Sequence, residues 1–160
     1  MRDEFETREI VIGTDGSAGA ALAVEQGVWL AKMLGAQATF VAVARAPSLV
    51  LGEPYYQRAL GADLAKARAA IADAVLFAEE REVPYETEII EGSPAEKILE
   101  VARTRGAELI VVGCRGRGAV TGAVLGSVSS DVVHRADRPV LVARPTARVR
   151  ADTTPLTFAV

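Results

Sequence analysis

EGSPAEKILEVARTRGAELIVVG, residues 91–113, decides the fold, because it places a sharply bounded helix directly before a fully apolar strand. Ser93, Pro94 and Glu96 make a capping box with proline at the first helical position, which predicts a helix start. Gly106 is expected to end this helix, and the run LIVVG that follows is typical of a strand buried on both faces. The apolar stripe of the helix comprises Ile98, Leu99, Val101 and Ala102.

The same alternation of strand and helix continues outward in both directions. Towards the N-terminus, REIVIG predicts a buried strand and TDGS a turn, with Ser17 capping a helix that Gly35 closes. ATFVAVAR follows as a second buried strand. Towards the C-terminus, SVSSDVVHRA predicts a short helix and RPVLVAR a last strand.

The middle of the chain is less regular. Residues 46–57 contain two prolines, one glycine and no clear period, so we expect an excursion that could cover a pocket or a partner. Residues 58–83 favour a helix that Pro84 stops, and YETEII favours a more exposed strand. The predicted buried face of this helix comprises Leu60, Leu64, Ala67, Ile71, Val75 and Ala78.

Five apolar strands alternating with four helices predict an α/β fold, with a parallel sheet covered by helices on both faces. We expect a single domain over residues 1–145 and a detachable tail over 146–160.

Composition limits the function classes. A net charge of −3 argues against broad binding to nucleic acid, and no apolar run reaches the length of a membrane-spanning helix. A single cysteine and a single histidine cannot build a zinc cluster, and no suitably spaced acid completes a Ser-His-Asp relay around His134. We expect Cys114 to be packed in the interior, His134 to face solvent, and the protein to work in a reducing cytoplasm.

Glycines crowd the run VVGCRGRGAVTGAVLGSVSSDVV, residues 111–133. In open parallel sheets, ligands bind beyond the carboxyl ends of the strands where the strand order reverses, and both this run and the turn at Asp15 follow such ends. Glycines admit an anion close to the backbone, and the helix start at Gly126 favours negative charge. The run is neither a Walker loop nor a dinucleotide fingerprint, because both need a different spacing and position.

The spacing Gly113, two residues, Gly116, nine residues, Gly126 and Ser127 resembles the ATP-binding signature of the universal stress protein family. IVIGTDGS and GSVSSDVVHRADRPVLVAR extend the resemblance over nearly the whole chain. It implies a flavodoxin-like sheet with strand order 3-2-1-4-5, binding of ATP or another adenine nucleotide, and a homodimer formed through the last strand.

The resemblance also implies roles for individual residues. Asp15 would lie by the ribose or phosphates, where it could hold Mg²⁺, and main chain near Val43 would contact adenine. Gly113 and Gly116 would approach the ribose and phosphates, with Arg115 adding positive charge. The helix start would hold the triphosphate through Gly126, Ser127, Val128 and Ser129, the serines by their hydroxyls. The chain departs from the family at Cys114, often serine or threonine, and in FVAVAR, which lacks a common histidine.

Simpler roles compete with these. Asp15 could only shape a turn, and Ser127 could only cap a helix. Three functions therefore remain open: an ATP-binding regulatory module with at most slow hydrolysis, an ATP-dependent hydrolase or transferase, and a nucleotide-free dimeric interaction module.

Overall fold

The computed structural model describes residues 8–48, 50, 52–115 and 125–145. Gly116 and the expected tail at 146–160 lie outside this part. Five strands and four helices alternate, as predicted: β1 (Glu9–Gly13), α1 (Ala18–Leu34), β2 (Gln37–Ala44), α2 (Tyr55–Glu79), β3 (Tyr85–Glu91), α3 (Pro94–Thr104), β4 (Leu109–Gly113), α4 (Ser127–Arg135) and β5 (Val140–Ala143).

All five strands are parallel and lie in the order β3-β2-β1-β4-β5, which confirms the predicted topology. The central strand β1 pairs with both halves of the sheet: Ile10 lies opposite Ala38 of β2 on one side and Leu109 of β4 on the other. The strand order reverses between β1 and β4, so their carboxyl ends flank the crevice where such sheets bind ligands.

The alternating side chains of β1 separate two cores. Ile10 and Ile12 face α1 and α2, whereas Val11 faces α3 and α4. Each is fully buried, as expected for a parallel sheet covered on both faces. The first core includes Val28, Phe40 and Ile71, and the second includes Val41, Leu99, Ile110 and Val132.

The boundaries of α1 follow the predicted capping chemistry. Ser17 is the N-cap, and its Oγ accepts a hydrogen bond from the Ala20 N–H at 3.2 Å. Gly35 closes the helix with φ 65°, in the left-handed region that favours glycine.

The predicted bounds of α2 are wrong at both ends. The helix begins at Tyr55, inside the expected excursion, because the Tyr56 N–H already donates to the Gly52 carbonyl at 3.1 Å. It ends at Glu79, ahead of Pro84, where the Val83 N–H bonds back to Ala78 and turns the chain towards β3. Local backbone hydrogen bonds, which residue propensity does not reveal, define both ends.

The predicted start of α3 is confirmed, but the serine bond of its capping box is not formed. Ser93 is the N-cap and Pro94 the first helical residue, but the Ser93 side chain makes no capping hydrogen bond. The fixed φ of proline and a bond from the Lys97 N–H to the Ser93 carbonyl at 3.0 Å define the start instead.

Candidate functional site

A cavity of about 560 Å³ opens at the carboxyl ends of β1, β2 and β4, a volume typical of small-molecule sites. Eight of the nine residues predicted from the sequence line it, so chain segments more than 100 positions apart converge there. These eight are Asp15, Val43, Gly113, Arg115, Gly126, Ser127, Val128 and Ser129.

One part of the cavity wall is apolar. Val41 and Val43 come from the end of β2, Val112 from β4, and Pro94 and Ile98 from the start of α3. These residues are there because the sheet continues to the cavity and α3 packs over it through its buried stripe. A flat apolar group is the natural occupant of such a wall.

The start of α4 supplies a different chemistry. The N-cap is Gly126, not Ser127, which lies at the first helical position and is exposed. The first bond of the helical ladder runs from the Ser130 N–H to the Gly126 carbonyl at 2.9 Å. The N–H groups of residues 127–129 precede that ladder, at the positive end of the helix dipole, and the N-cap, a glycine, has no side chain that could cap them. This geometry suits an anion.

Ser129 differs from the hydroxyl donor that the family resemblance implies. Its side chain is buried, and its Oγ lies 3.1 Å from the Cys114 carbonyl and 3.0 Å from the Gly126 carbonyl. A hydroxyl has one proton, and these two acceptors share it. We therefore correct the expectation: the hydroxyl is directed at main chain, and the N–H is the group that Ser129 offers to a ligand.

Asp15 shapes the turn between β1 and α1 as well as lining the cavity. Its Oδ1 accepts a hydrogen bond from the Ser17 N–H at 3.0 Å, and Gly16 adopts φ 76° between them. Both readings of Asp15, turn former and site residue, are therefore compatible in one geometry.

The glycine at 113 has a packing role that the sequence did not reveal. A Cβ placed on Gly113 would lie 2.4 Å from the carbonyl oxygen of Gly19, in the first turn of α1. A Cβ on Gly19 would in turn lie 2.1 Å from the Arg115 carbonyl oxygen. Bare backbone is needed here to bring α1 against the end of β4, whereas we expected it to admit a phosphate.

Three charged residues at the cavity were missed. Arg45 follows β2, and Asp63 and Lys66 lie on α2. The Asp63 Oδ2 accepts a hydrogen bond from the Arg45 N–H at 2.9 Å, and its Oδ1 lies 3.7 Å from the Lys66 Nζ. An i, i+3 charge pair on a helix was visible in the sequence, but its position at the cavity depends on how α2 packs on the sheet.

Cys114 and His134 lie as predicted, the first buried and the second exposed. In the described ranges, no three His, Cys, Asp or Glu residues form a group that could hold a metal ion. No helix among the described residues combines the length and apolarity needed to cross a membrane.

A charged cluster lies at the opposite, amino end of the strands. Arg105 donates to Glu86 at 2.7 Å and to Glu88 at 2.6 Å, and the bond from Arg105 holds the pKa of the Glu86 carboxyl below its usual value. Burial raises the pKa of Glu9 at the start of β1, opposed by a hydrogen bond from Thr39. These partners join β3, α3 and the start of the sheet, far from the cavity.

Comparison with known proteins identifies the family to which this fold belongs. The model of the universal stress protein family matches residues 6–144. The chain belongs to the universal stress protein family. A universal stress protein from Thermus aquaticus, encoded in the 3′ region of a QAH/OAS sulfhydrylase gene, is 37% identical over 138 residues, which cover 86% of this chain and 98% of that protein.

Solved structures agree with this assignment. Universal stress protein UspA from Lactobacillus plantarum superposes with a TM-score of 0.79 at 27% identity, covering 87% of this chain and 99% of its own. A universal stress protein solved in complex with cAMP superposes with a TM-score of 0.69 at 25% identity, covering 88% of this chain and 99% of its own.

Proposed function

We propose that this universal stress protein binds an adenine nucleotide, ATP with Mg²⁺, and that occupancy of the site biases its shape or its partners. One observation carries the proposal: a single cavity joins an apolar wall, at Val41, Val43 and Ile98, to the uncapped start of α4. The two parts match the two chemistries of a nucleotide, a planar base and a charged phosphate chain. The cAMP complex of the structural relative supports the adenine assignment.

The phosphates would bind to main-chain N–H groups of Ser127, Val128 and Ser129. Each hydrogen bond to a charged oxygen contributes about 1.5 to 3 kcal/mol before ordering costs are subtracted. Arg115 and Lys66, which also line the cavity, add positive charge. Three such bonds contribute about 4.5 to 9 kcal/mol in all before those costs, so micromolar affinity, about 8.2 kcal/mol, also requires burial of the base against the apolar wall.

Asp15 would hold the Mg²⁺. Magnesium in nucleotide sites is commonly bound by one or two carboxylates together with phosphate oxygens, and Asp15 lies between the end of β1 and the cavity. Its Oδ1 accepts a hydrogen bond from the Ser17 N–H, which holds the carboxylate at this end of the cavity. Asp15→Asn should reduce the gain in ATP affinity that Mg²⁺ gives over EDTA, a difference measurable by calorimetry.

Hydrolysis is expected to be slow. It requires an oriented, activated water, yet the cavity carboxylates Asp15 and Asp63 each accept a main-chain N–H. Each carboxylate therefore already has a structural hydrogen bond, which holds part of its acceptor capacity away from an attacking water. Rapid steady-state turnover, lost in Asp15→Asn, would instead support the ATP-dependent enzyme.

We also propose that the protein forms a homodimer through β5. This strand is last in the sheet order, and within the described part of the chain its outer edge pairs with no other strand. An open edge favours pairing with a second chain. Analytical ultracentrifugation tests the dimer, and monomers at micromolar concentration would refute it. A cytoplasmic location stays a prediction, based on the single cysteine.

The deciding experiment is a calorimetric titration of nucleotide-stripped protein with ATP and Mg²⁺. Saturable binding with a dissociation constant in the micromolar range is expected. If stripped protein gives no heat at two temperatures, the nucleotide site is refuted and the nucleotide-free interaction module takes its place. Adenosine and inorganic triphosphate, titrated separately, show whether the apolar wall and the α4 start each contribute.

A further inference from the structure

The main chain at Cys114 joins α4 to the sheet. The Cys114 N–H donates to the Ala143 carbonyl of β5 at 2.9 Å, so this residue is fixed to the end of the sheet. Its carbonyl oxygen accepts two hydrogen bonds from the start of α4, one from the Gly126 N–H at 2.6 Å and one from the Ser129 Oγ at 3.1 Å. The residue that follows β4 thereby holds the helix that begins 13 positions later.

The Ser129 hydroxyl is one of the buried groups through which α4 is held to the sheet. The helix is nine residues long, and only Ser129 and Val132 are buried among them. Val132 packs into the core under α3. Residues three apart lie on one helix face, so the Ser129 hydroxyl and the Val132 side chain together fix how α4 is rotated on the sheet.

We propose that Ser129 is a positioning residue for the ligand of this cavity: its hydroxyl holds α4 to Cys114 and thereby aims the N–H groups of residues 127–129. The orientation of these N–H groups matters because a hydrogen bond weakens steeply as its donor–hydrogen–acceptor angle falls. The inference deepens the proposed nucleotide function and rests on it for its binding measurement. A serine that binds phosphate directly, as the family resemblance implies, would donate its hydroxyl to the phosphate. Here the hydroxyl acts indirectly, through its bond to the Cys114 carbonyl.

Two measurements separate these roles. The first is amide hydrogen exchange at Gly126 in the ligand-free full chain, which a phosphate-binding hydroxyl would not influence. In Ser129→Ala we expect this amide to exchange about five to ten times faster, because its acceptor is no longer held by a second donor. Ser129→Thr, which keeps the hydroxyl, should restore slow exchange. Ser130→Ala, which removes the neighbouring hydroxyl, is the matched control and should leave the rate unchanged.

The second measurement is affinity. Ser129→Ala should bind ATP about tenfold more weakly and adenosine within about twofold of wild type, because only the phosphate donors are misaligned. If ATP affinity falls while Gly126 exchange is unchanged, the hydroxyl is a direct ligand and the positioning role is overturned. If neither changes, the role is likewise overturned.

Failure of the nucleotide proposal remains distinguishable. Wild-type protein that binds no ATP refutes that function, yet faster exchange in Ser129→Ala would still support the anchor. Should Ser129→Ala fail to fold, Ser129→Cys keeps the side-chain size with a weaker donor, and its Gly126 amide should exchange faster than in Ser129→Thr.

Discussion

Two of the helices that begin at the cavity, α1 and α4, have first turns that are built in opposite ways. At α1, Ser17 caps the Ala20 N–H, and Gly19 packs backbone to backbone against Gly113 and Arg115. At α4, Gly126 is the N-cap and contributes no side chain, so among the described residues no capping bond from the N-cap occupies the N–H groups of the first turn. Both starts carry the same dipole. A helix start serves the fold when its donors are already satisfied, and serves a ligand when they are not.

A side chain added at Gly113, where β4 closely approaches α1, should have the largest effect on stability. In Gly113→Ala the added Cβ would meet three main-chain atoms of Gly19 and Ala20 at 2.4 to 2.9 Å, and main chain cannot rotate away as a flexible side chain can. We expect the free energy of unfolding to fall by about 3 kcal/mol in urea denaturation.

Gly61→Ala is the matched control. A Cβ on Gly61, within α2, meets nothing within 4 Å, so this substitution should stabilise by about 0.5 to 1 kcal/mol through helix propensity alone. Equal effects of the two substitutions would show that the close approach at Gly113 has no energetic weight.

Blocking the α4 start should remove binding and spare the fold. Gly126 has φ −70° and ψ 164°, an extended conformation that any residue adopts, so Gly126→Val introduces no backbone strain. Its branched side chain would stand beside the first-turn N–H groups and exclude a phosphate. We expect ATP affinity to fall at least about 100-fold, with a stability loss of about 1 kcal/mol or less from the poorer cap.

Calorimetry and far-UV circular dichroism measure the two sides of that prediction. Gly126→Ala should lie between wild type and valine in affinity, because its side chain is smaller. Wild-type affinity in Gly126→Val would contradict the assignment of the phosphates to α4.

Removing the N-cap side chain of α1 should lower stability and leave ATP binding intact. Ser17→Ala leaves the Ala20 N–H without its acceptor, which typically lowers stability by about 1 kcal/mol. ATP affinity should stay within about twofold of wild type, because Ser17 is not among the residues that line the cavity. Ser17→Asp restores a capping oxygen and should recover most of the stability. Thermal unfolding and calorimetry together check the pair.

Much of this was accessible from the sequence, because strands buried on both faces and helix starts leave local signals. Ser17, Gly35 and Pro94 lie at the boundaries that capping chemistry predicts. Asp15, Val43 and residues 126–129 line one cavity. This could be predicted from the rule that the carboxyl ends of parallel strands share one edge of the sheet.

What the sequence could not reveal depends on distances between remote segments. The role of Gly19 appears only when α1 packs on β4, and the turn of the Ser129 hydroxyl towards Cys114 appears only when α4 meets the sheet. Asp63 and Lys66 reach the cavity because α2 begins within the excursion after β2. No periodicity or motif encodes such contacts.

The last prediction concerns the smallest expected effect. It compares the serine at the start of α4 with the serine at the start of α1. Ser127 is exposed at the first position of α4 and caps no N–H there, so Ser127→Ala should change the free energy of unfolding by less than about 0.5 kcal/mol. Its hydroxyl lies at the cavity, and losing one exposed donor to a phosphate that water can partly replace should weaken ATP about three- to tenfold. Adenosine, which has no phosphate, should bind both proteins equally. Ser17→Ala and Ser127→Ala would then be mirror images, one losing stability and the other losing affinity. If both serines affected stability alone, the α4 start would be a second structural cap and the difference between the two helices would disappear.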